Sequence, residues 1–217
     1  MLTEKSRLDA LSNELGANGK INYLKNISGL WLIQETRRAL KREGYDYSYN
    51  DLEMLARKEK PFTCFIDPDD DVFATEGNLP QRIRAYCKTT KQPVPESTGA
   101  MIRCIYESLA MKYRFALEQI SENTGKKFNV LHMLGGGTKD SFLCQLTADS
   151  LGFDVAAGPT EATAIGNIIL QLIALGEIES VEAAREMIGK TEKVKIYRPA
   201  NHSEWQKGYE KYIKTVF

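Results

Sequence analysis

Apolar and polar positions repeat along the first two thirds of the chain with the spacing of helices. From about Asn22 to Arg42 the apolar residues recur every three to four positions, which predicts an amphipathic helix. The same spacing predicts helices over about 50–60, 79–89 and 99–123, of which the last is the longest. One apolar run rich in strand formers, 62–66, lies between them and predicts a short strand.

The last third changes to an alternation of short apolar runs and helical patterns. Val130–Leu134 and Phe153–Ala157 are runs bounded by glycine or asparagine, which predicts two strands. Helices are predicted to begin near Thr138, Thr160, Ser180 and Ser203, with a further strand at 194–197. Strands that alternate with helices are typical of an α/β core with parallel strand pairing.

Composition and charge narrow the class of partner. The chain has 217 residues, of which 42% are hydrophobic and 27% charged, as in ordinary globular domains. Lys+Arg and Asp+Glu number 29 each, so the formal net charge is zero and we expect neither nucleic acid nor a membrane as a partner. Because the sequence has no run of about 18 apolar residues and no signal-peptide pattern, we expect a cytoplasmic protein.

Two groups of potential metal ligands have simpler interpretations. The four cysteines are far apart, with no CxxC pair, so we expect buried small side chains and predict no metal ligands, although Cys87 and Cys104 could pair. The aspartates of 67–71 follow a predicted strand. They could form a cation site, but a solvated turn is the more common outcome for such a run.

Three consecutive glycines separate the first strand of the last third from its helix. Gly135, Gly136 and Gly137 lack Cβ atoms, so a ligand could lie directly against their backbone. The amide groups at the start of a helix also suit phosphate or ribose hydroxyls. The spacing fits neither a Walker A loop nor a dinucleotide fingerprint, and by itself it leaves ligand binding and a tight turn equally open.

The surroundings of this turn resemble the FGGY family of carbohydrate kinases. The shared positions are Gly135, Gly136, Asp140, Leu143, Gln145, Ala148, Asp149, Gly158, Glu161, Gly166 and Asn167. The resemblance implies an α/β fold of the actin-like ATPase (ribonuclease H-like) type, with a mixed sheet flanked by helices and an added helical segment. It also implies that Gly135, Gly136 and Gly137 bind the adenosine of ATP or ADP.

The front of the chain resembles the rhamnulokinases within that family, through the stretches 13–34, 65–70 and 92–97. In those enzymes the residue that matches Asn26 contacts the sugar, and the residue that matches Gln34 contacts the nucleotide. On the predicted helix these two residues would share one side and lie about 12 Å apart along its axis. Without the resemblance, Asn26 would be read as a capping or solvent-facing residue.

Two residues beside the glycines complicate the resemblance. Family members often have asparagine at the position of Asp140, and a carboxylate there would favour the helix dipole but repel a phosphate. The neighbouring Lys139 could reach a phosphate or simply face solvent.

The resemblance also implies what the chain does not contain. The family's catalytic aspartate and phosphate loops belong to an N-terminal half, and no residue here matches them, so we assign no catalytic residue. We interpret 1–20 as a turn-rich remnant of a preceding region, and 21–217 as the C-terminal nucleotide-binding domain of a sugar kinase whose catalytic N-terminal half is absent.

The implied reaction is ATP-dependent transfer of phosphate to the 1-hydroxyl of L-rhamnulose, with Mg²⁺ held mainly by the nucleotide and the N-terminal half. We expect the chain alone to be inactive, to bind sugar only with that half, and to self-associate through its exposed interdomain surface. Two alternatives remain: another FGGY kinase, of the xylulokinase, fuculokinase or glycerol kinase type, or a non-catalytic nucleotide-binding or interaction domain.

Overall fold

The computed structural model of the chain describes residues 2–217, and of Asn18 it describes the backbone alone. Met1, part of the predicted N-terminal remnant, lies outside the described residues. The contacts between residues divide the chain into two compact units. The first comprises the residues up to Phe128 together with Ser203–Phe217, and the second comprises Asn129–His202.

The first unit is mainly helical. Its helices are α1 (Glu4–Leu8), α2 (Trp31–Arg42), α3 (Tyr49–Arg57), α4 (Leu79–Thr89) and α5 (Thr98–Thr124), and its strands are β1 (Ser12–Leu15) and β2 (Ile21–Leu24). The two strands form an antiparallel hairpin in which Ser12 pairs with Leu24. The predicted helices over 50–60, 79–89 and 99–123 are confirmed. Helix α1 and strand β1 lie in the first twenty residues, where the sequence predicted turns.

The first predicted helix is wrong over its N-terminal part. Residues 21–24 are strand β2, residues 25–30 are irregular, and α2 begins only at Trp31. Glycine at position 29 disfavours a helix there, and the hairpin offers backbone hydrogen bonds to β2 instead. Asn26 therefore lies before α2 rather than on it, and the predicted common helix side for Asn26 and Gln34 is wrong.

The predicted strand at 62–66 is also wrong, because this buried segment has no partner strand among the described residues. Its backbone amides donate to side chains. The Phe65 amide donates to Gln92 Oε1 at 2.7 Å, and the Ile66 amide donates to Ser108 Oγ at 2.9 Å. Side chains from α5 and from the loop before it thus replace the sheet ladder that the apolar run seemed to require.

The second unit is an α/β layer, as predicted. Its elements are β3 (Val130–Met133), α6 (Ser141–Leu151), β4 (Asp154–Ala157), α7 (Ala162–Ala174), α8 (Val181–Thr191) and β5 (Lys195–Tyr197). Helix α9 (His202–Val216) follows and belongs, from Ser203 onward, to the first unit. The sheet order is β3-β4-β5, with β3 and β4 parallel and β5 antiparallel to β4. This mixed sheet confirms the predicted strands, and Cys144, Ala148, Val155, Ala157 and Tyr197 form its buried core. No helix of the described residues is long and apolar enough to cross a bilayer.

Candidate functional site

The three glycines form a turn at the carboxyl end of β3, in the second unit. Gly135 has a φ of +80°, and a short 3-10 turn, Gly136–Lys139, leads from it towards α6. The Gly135 amide donates to the carbonyl of Pro159 at 3.1 Å. Thr138 Oγ1 donates to the carbonyl of Gly135 at 2.7 Å. Backbone hydrogen bonds and one hydroxyl therefore hold this turn against the segment that follows β4.

Gly136 is exposed, and neither its backbone conformation nor its neighbours require a glycine. A Cβ added at Gly136 would meet no described atom within 4 Å, and its φ lies outside the left-handed region. Gly135, in contrast, needs glycine because of its positive φ. The open space in front of Gly136 is a surface on which a flat ligand could lie against the backbone.

Asp140, not Thr138 as predicted, caps helix α6. Its Oδ1 accepts a hydrogen bond from the Leu143 amide at 2.9 Å. Thr138 instead contacts Thr160 Oγ1 at 3.2 Å, in addition to Gly135. The carboxylate of Asp140 satisfies an amide at the helix start, a capping role for which aspartate and asparagine are equally suited. Lys139 is exposed.

The predicted sugar-contact residue lies in the first unit, in the loop between β2 and α2. Asn26 is exposed, and its side chain makes no hydrogen bond to any described residue. The loop borders a cavity of about 590 Å³. The residues that line this cavity are Ala10, Lys25, Asn26, Ile27, Ser28, Asp69 and Lys112. We call it the Asn26 cavity.

A buried lysine organises the wall of the Asn26 cavity. Lys112 Nζ lies 2.6 Å from Asp67 Oδ1 and 3.1 Å from Asp69 Oδ2, and its side chain is only 4% exposed. Asp69 Oδ1 accepts a hydrogen bond from the Ser28 amide at 2.6 Å. The aspartate run is therefore neither a wholly solvated turn nor an open cation site, because Lys112 occupies the position that a cation would take.

Lys25 is the second cation of this cavity. It is half-buried, and its Nζ donates to the backbone carbonyl of Asp9. Burial and the neighbouring charge of Lys112 lower the pKa of Lys25. The sequence interpretation did not select Lys25 or Lys112. A lysine within the apolar stretch of α5 was the available signal, because such a residue requires a carboxylate partner.

Gln34, the predicted nucleotide contact, lies in the first turn of α2 and points away from the core. It is exposed, whereas its neighbours Ile33 and Glu35 are buried. Glu35 accepts hydrogen bonds from Arg42 at 3.1 Å and from the Gly77 amide at 3.1 Å. The side-chain amide of Gln34 makes no hydrogen bond to the described residues, whereas its backbone amide donates to the Leu30 carbonyl at 3.0 Å.

All four cysteines are buried free thiols, not disulfides, as expected of small core side chains. The sulfur atoms of Cys64, Cys87 and Cys104 lie within 4.8 Å of one another, which their sequence spacing did not indicate. They come from the 62–66 segment, α4 and α5, and each is at most 2% exposed. Hydrogen bonds with Cys64 and Cys87, together with burial, raise the pKa of the Cys104 thiol and keep it protonated.

Comparison with protein families assigns both regions to one family. The sequence profile of the C-terminal domain of the FGGY family of carbohydrate kinases matches residues 2–175, most of the chain. The chain belongs to the FGGY carbohydrate kinases. The profile includes both the Asn26 cavity and the Gly135–Gly137 turn.

Curated relatives within the FGGY family point to one subgroup. The chain is 40% identical over 209 residues to a rhamnulokinase of Bacteroides thetaiotaomicron, covering 96% of this chain and 42% of that protein. It is 46% identical over 189 residues to a rhamnulokinase of Enterococcus faecalis, covering 86% of this chain and 38% of that protein. The chain thus spans about two fifths of the length of these relatives.

Solved structures of FGGY kinases share the fold. The ligand-bound xylulose kinase of Lactobacillus acidophilus matches with a TM-score of 0.64 at 16% identity, over 94% of this chain and 41% of that one. The glycerol kinase of Plasmodium falciparum with ADP matches with a TM-score of 0.61 at 14% identity, over 95% of this chain and 42% of that one. The fold is therefore that of the actin-like ATPases, as predicted.

Proposed function

We propose that this chain is the nucleotide-binding part of an ATP-dependent kinase that phosphorylates L-rhamnulose at its 1-hydroxyl, a step of rhamnose metabolism in the cytoplasm. The observation that carries the proposal is the 36–46% identity to seven proteins named rhamnulokinase, over 82–96% of the chain. The transfer would follow the usual requirements of phosphoryl transfer: an aligned hydroxyl, a base, Mg²⁺ and donors around the phosphates.

In this proposal the nucleotide lies against the turn of the second unit. The adenosine would contact Gly135, Gly136 and Gly137, because Gly136 presents bare backbone to open space. Gln34 would contribute a further nucleotide contact through its exposed side-chain amide, and Asn26 would contact the sugar. Mg²⁺ would be held mainly by the nucleotide phosphates and by residues outside this chain.

Calorimetric titration with ADP, with and without Mg²⁺, tests the nucleotide site. We expect the chain to bind ADP and Gly136→Val to bind it at least roughly tenfold more weakly, because the new side chain fills the space before the turn. Gly189→Val is the matched control, since a Cβ at Gly189 also meets nothing within 4 Å. Equal ADP affinity of Gly136→Val and the parent chain would remove the adenosine from this turn.

The proposal assigns the catalytic base to a segment outside this chain, because no aspartate here matches the family's base. We therefore expect no phosphorylation of L-rhamnulose by the purified chain with Mg-ATP. Turnover that follows the purified protein through two chromatographic steps would contradict this assignment.

A kinase for a different polyol or ketose is the second candidate. The fold is shared with xylulose, gluconate and glycerol kinases, at TM-scores of 0.61–0.64. A panel of L-rhamnulose, xylulose, fuculose and glycerol, given to a longer protein that contains this chain, separates the candidates. If ADP does not bind and no compound of this panel is phosphorylated, the remaining candidate is a non-catalytic interaction domain.

Self-association is a further part of the proposal. Helix α7 has no buried residue, and Ile168, Leu170 and Leu175 in and beside it are exposed. Exposed apolar patches of this kind usually contact another surface. Sedimentation velocity at two protein concentrations tests it, and a single monomeric species at both would rule it out.

A further inference from the structure

Three cysteine side chains converge in the first unit, and the proposed function uses none of them. Cys64 lies on the 62–66 segment, Cys87 near the end of α4 and Cys104 on α5. Their sulfur atoms all lie within 4.8 Å of one another, and the three thiols exchange hydrogen bonds. Cys144, in contrast, is one of the residues that form the core of the second unit. Three separate elements therefore bring three sulfurs to one point.

The spacing of these sulfurs suits a single metal ion. A metal–thiolate bond of about 2.3 Å places three sulfurs roughly 4 Å apart around a shared ion. Sulfurs that already lie within 4.8 Å of one another reach this separation through small movements of their side chains. A disulfide would join only two of the three sulfurs and leave the third thiol buried beside it. An ion is the ligand that engages all three.

The number of ligands selects the kind of ion. Among the residues that the structure describes, the cluster comprises three ligand atoms, and each cysteine is at most 2% exposed. The nearby carboxylate of Glu107 is already held by Arg103 at 2.5 Å and by the Phe62 amide at 2.8 Å. Structural zinc sites almost always have four ligands, whereas soft thiolate ligands select copper(I). Three buried sulfurs without a fourth ligand therefore suit copper(I).

A cation beside the cluster favours a negatively charged complex. Lys211 Nζ donates to the carbonyls of Phe62 at 2.8 Å and of Thr63 at 3.1 Å, next to Cys64 in the chain. Each copper–thiolate bond replaces one S–H bond, whose proton passes to solvent, and no electron is transferred. The resulting complex of copper(I) with thiolates is anionic. The Lys211 ammonium offsets part of the cost of burying that charge.

We propose that Cys64, Cys87 and Cys104 form a three-sulfur binding site for copper(I). The bound ion would join the 62–66 segment to α4 and α5. It would also fix the chain that leads into Asp67, the partner of Lys112 at 2.6 Å. Because the sulfurs are buried, the ion would enter while the 62–66 segment is displaced, which its lack of a sheet ladder favours.

Competition for copper(I) tests the site. The reduced chain is refolded from urea without oxygen, in the presence of copper(I) and the chelator bathocuproine disulfonate, so that burial does not block entry. We expect one copper per chain, held at least roughly tenfold more tightly than by Cys64→Ala, because the variant loses one of three ligands. The matched control, Cys144→Ala, removes another buried cysteine and should bind as the parent does. Circular dichroism spectra identical to the parent would establish that both variants fold.

X-ray absorption at the copper edge separates ligation from a structural role of Cys64. The parent chain should show three sulfur neighbours and Cys64→Ala two, a difference that a loss of packing alone would not produce. Two sulfur neighbours in the parent, or equal copper affinity of the parent and Cys64→Ala, would each overturn the site.

Two further measurements test the metal and the state of the thiols. Zn²⁺ offered to the parent chain together with copper(I) should stay unbound, and equally tight binding of the two ions would overturn the assignment to copper(I). Mass spectrometry after alkylation in urea should find Cys87 and Cys104 as free thiols. A disulfide between them in protein purified without oxygen would exclude the three-sulfur site.

Discussion

The two candidate binding regions are built by opposite means. The turn at Gly135 is held by backbone amides and carbonyls, including the bond from the Gly158 amide to the Met133 carbonyl at 2.9 Å. The loop at Asn26 is held by side-chain charges, through Asp69 and Lys112. The two regions should therefore respond to different substitutions. Removing a charge should disturb the Asn26 cavity, and adding a Cβ should disturb the turn.

The largest expected effect is that of Lys112→Met. The side chain of Lys112 is 4% exposed, and its removal leaves Asp67 and Asp69 without a cation. Because these aspartates are 18% and 27% exposed, we expect the free energy of unfolding to fall by about 3 kcal/mol, the lower end for broken buried pairs. Urea unfolding measures the change. The same substitution combined with Asp67→Asn and Asp69→Asn should cost clearly less, and equal losses would show that Lys112 stabilises by packing alone.

The corresponding change in the second unit is Gly158→Ala. Gly158 has a φ of +128°, and an added Cβ would lie 3.0 Å from the Lys193 carbonyl oxygen. We expect a loss of about 2 to 3 kcal/mol in urea unfolding, because no other residue adopts this backbone region without strain.

Gly166→Ala, inside α7, supplies the matched control for Gly158→Ala. A Cβ at Gly166 meets nothing within 4 Å, and alanine favours a helix interior, so this variant should be as stable as the parent or slightly more so. If Gly158→Ala and Gly166→Ala have the same free energy of unfolding, the backbone conformation of Gly158 does not stabilise the turn.

The same contrast explains which elements could be predicted from sequence. The α/β unit follows from local signals: short apolar runs, glycines at positive φ and helix-capping side chains such as Ser180. The loop before α2 and the 62–66 segment depend on partners far along the chain. Asp69 lies 41 positions from Ser28, and Ser108 lies 42 positions from Ile66. No local period records such contacts, so the helix and the strand predicted there were wrong.

The candidate site shows the same division. The glycine turn could be located because three glycines between a strand and a helix are a local pattern, and Asn26 could be located through the family resemblance. Lys25 could not be located, because no local pattern marks it. Lys112 offered only the signal of a lysine within the apolar stretch of α5, and the sequence does not show that Asp67 and Asp69 are its partners. Their roles follow from distances to Asp67, Asp69 and Asp9 that the sequence does not give.

Charge in the first unit should also make its stability depend on pH. Burial raises the pKa of Glu107 to about 7, even though Arg103 and the Phe62 amide both favour its carboxylate. The folded chain then binds more protons than the unfolded chain between about pH 4.5 and 7, so stability falls as pH rises through that window.

Between pH 5 and 7 this loss should amount to about 2 kcal/mol. Urea unfolding of the parent and of Glu107→Gln at both pH values measures it. The glutamine keeps an acceptor for the Phe62 amide but cannot ionise, so the loss should shrink in the variant. An identical pH dependence in both proteins would contradict the raised pKa.

The smallest effect gives the sharpest test of the turn, because it compares adjacent residues. Gly135→Ala should cost about 1 kcal/mol, since its φ of +80° strains an alanine. Gly136→Ala should change stability by less than about 0.5 kcal/mol, since its Cβ enters empty space at an ordinary φ. Calorimetry should then show weaker ADP binding by Gly136→Ala in spite of its parental stability. A substitution that the fold tolerates and the nucleotide does not would assign the glycine at 136 to the ligand rather than to the turn. Weakened folding with unchanged ADP affinity would assign it to the turn.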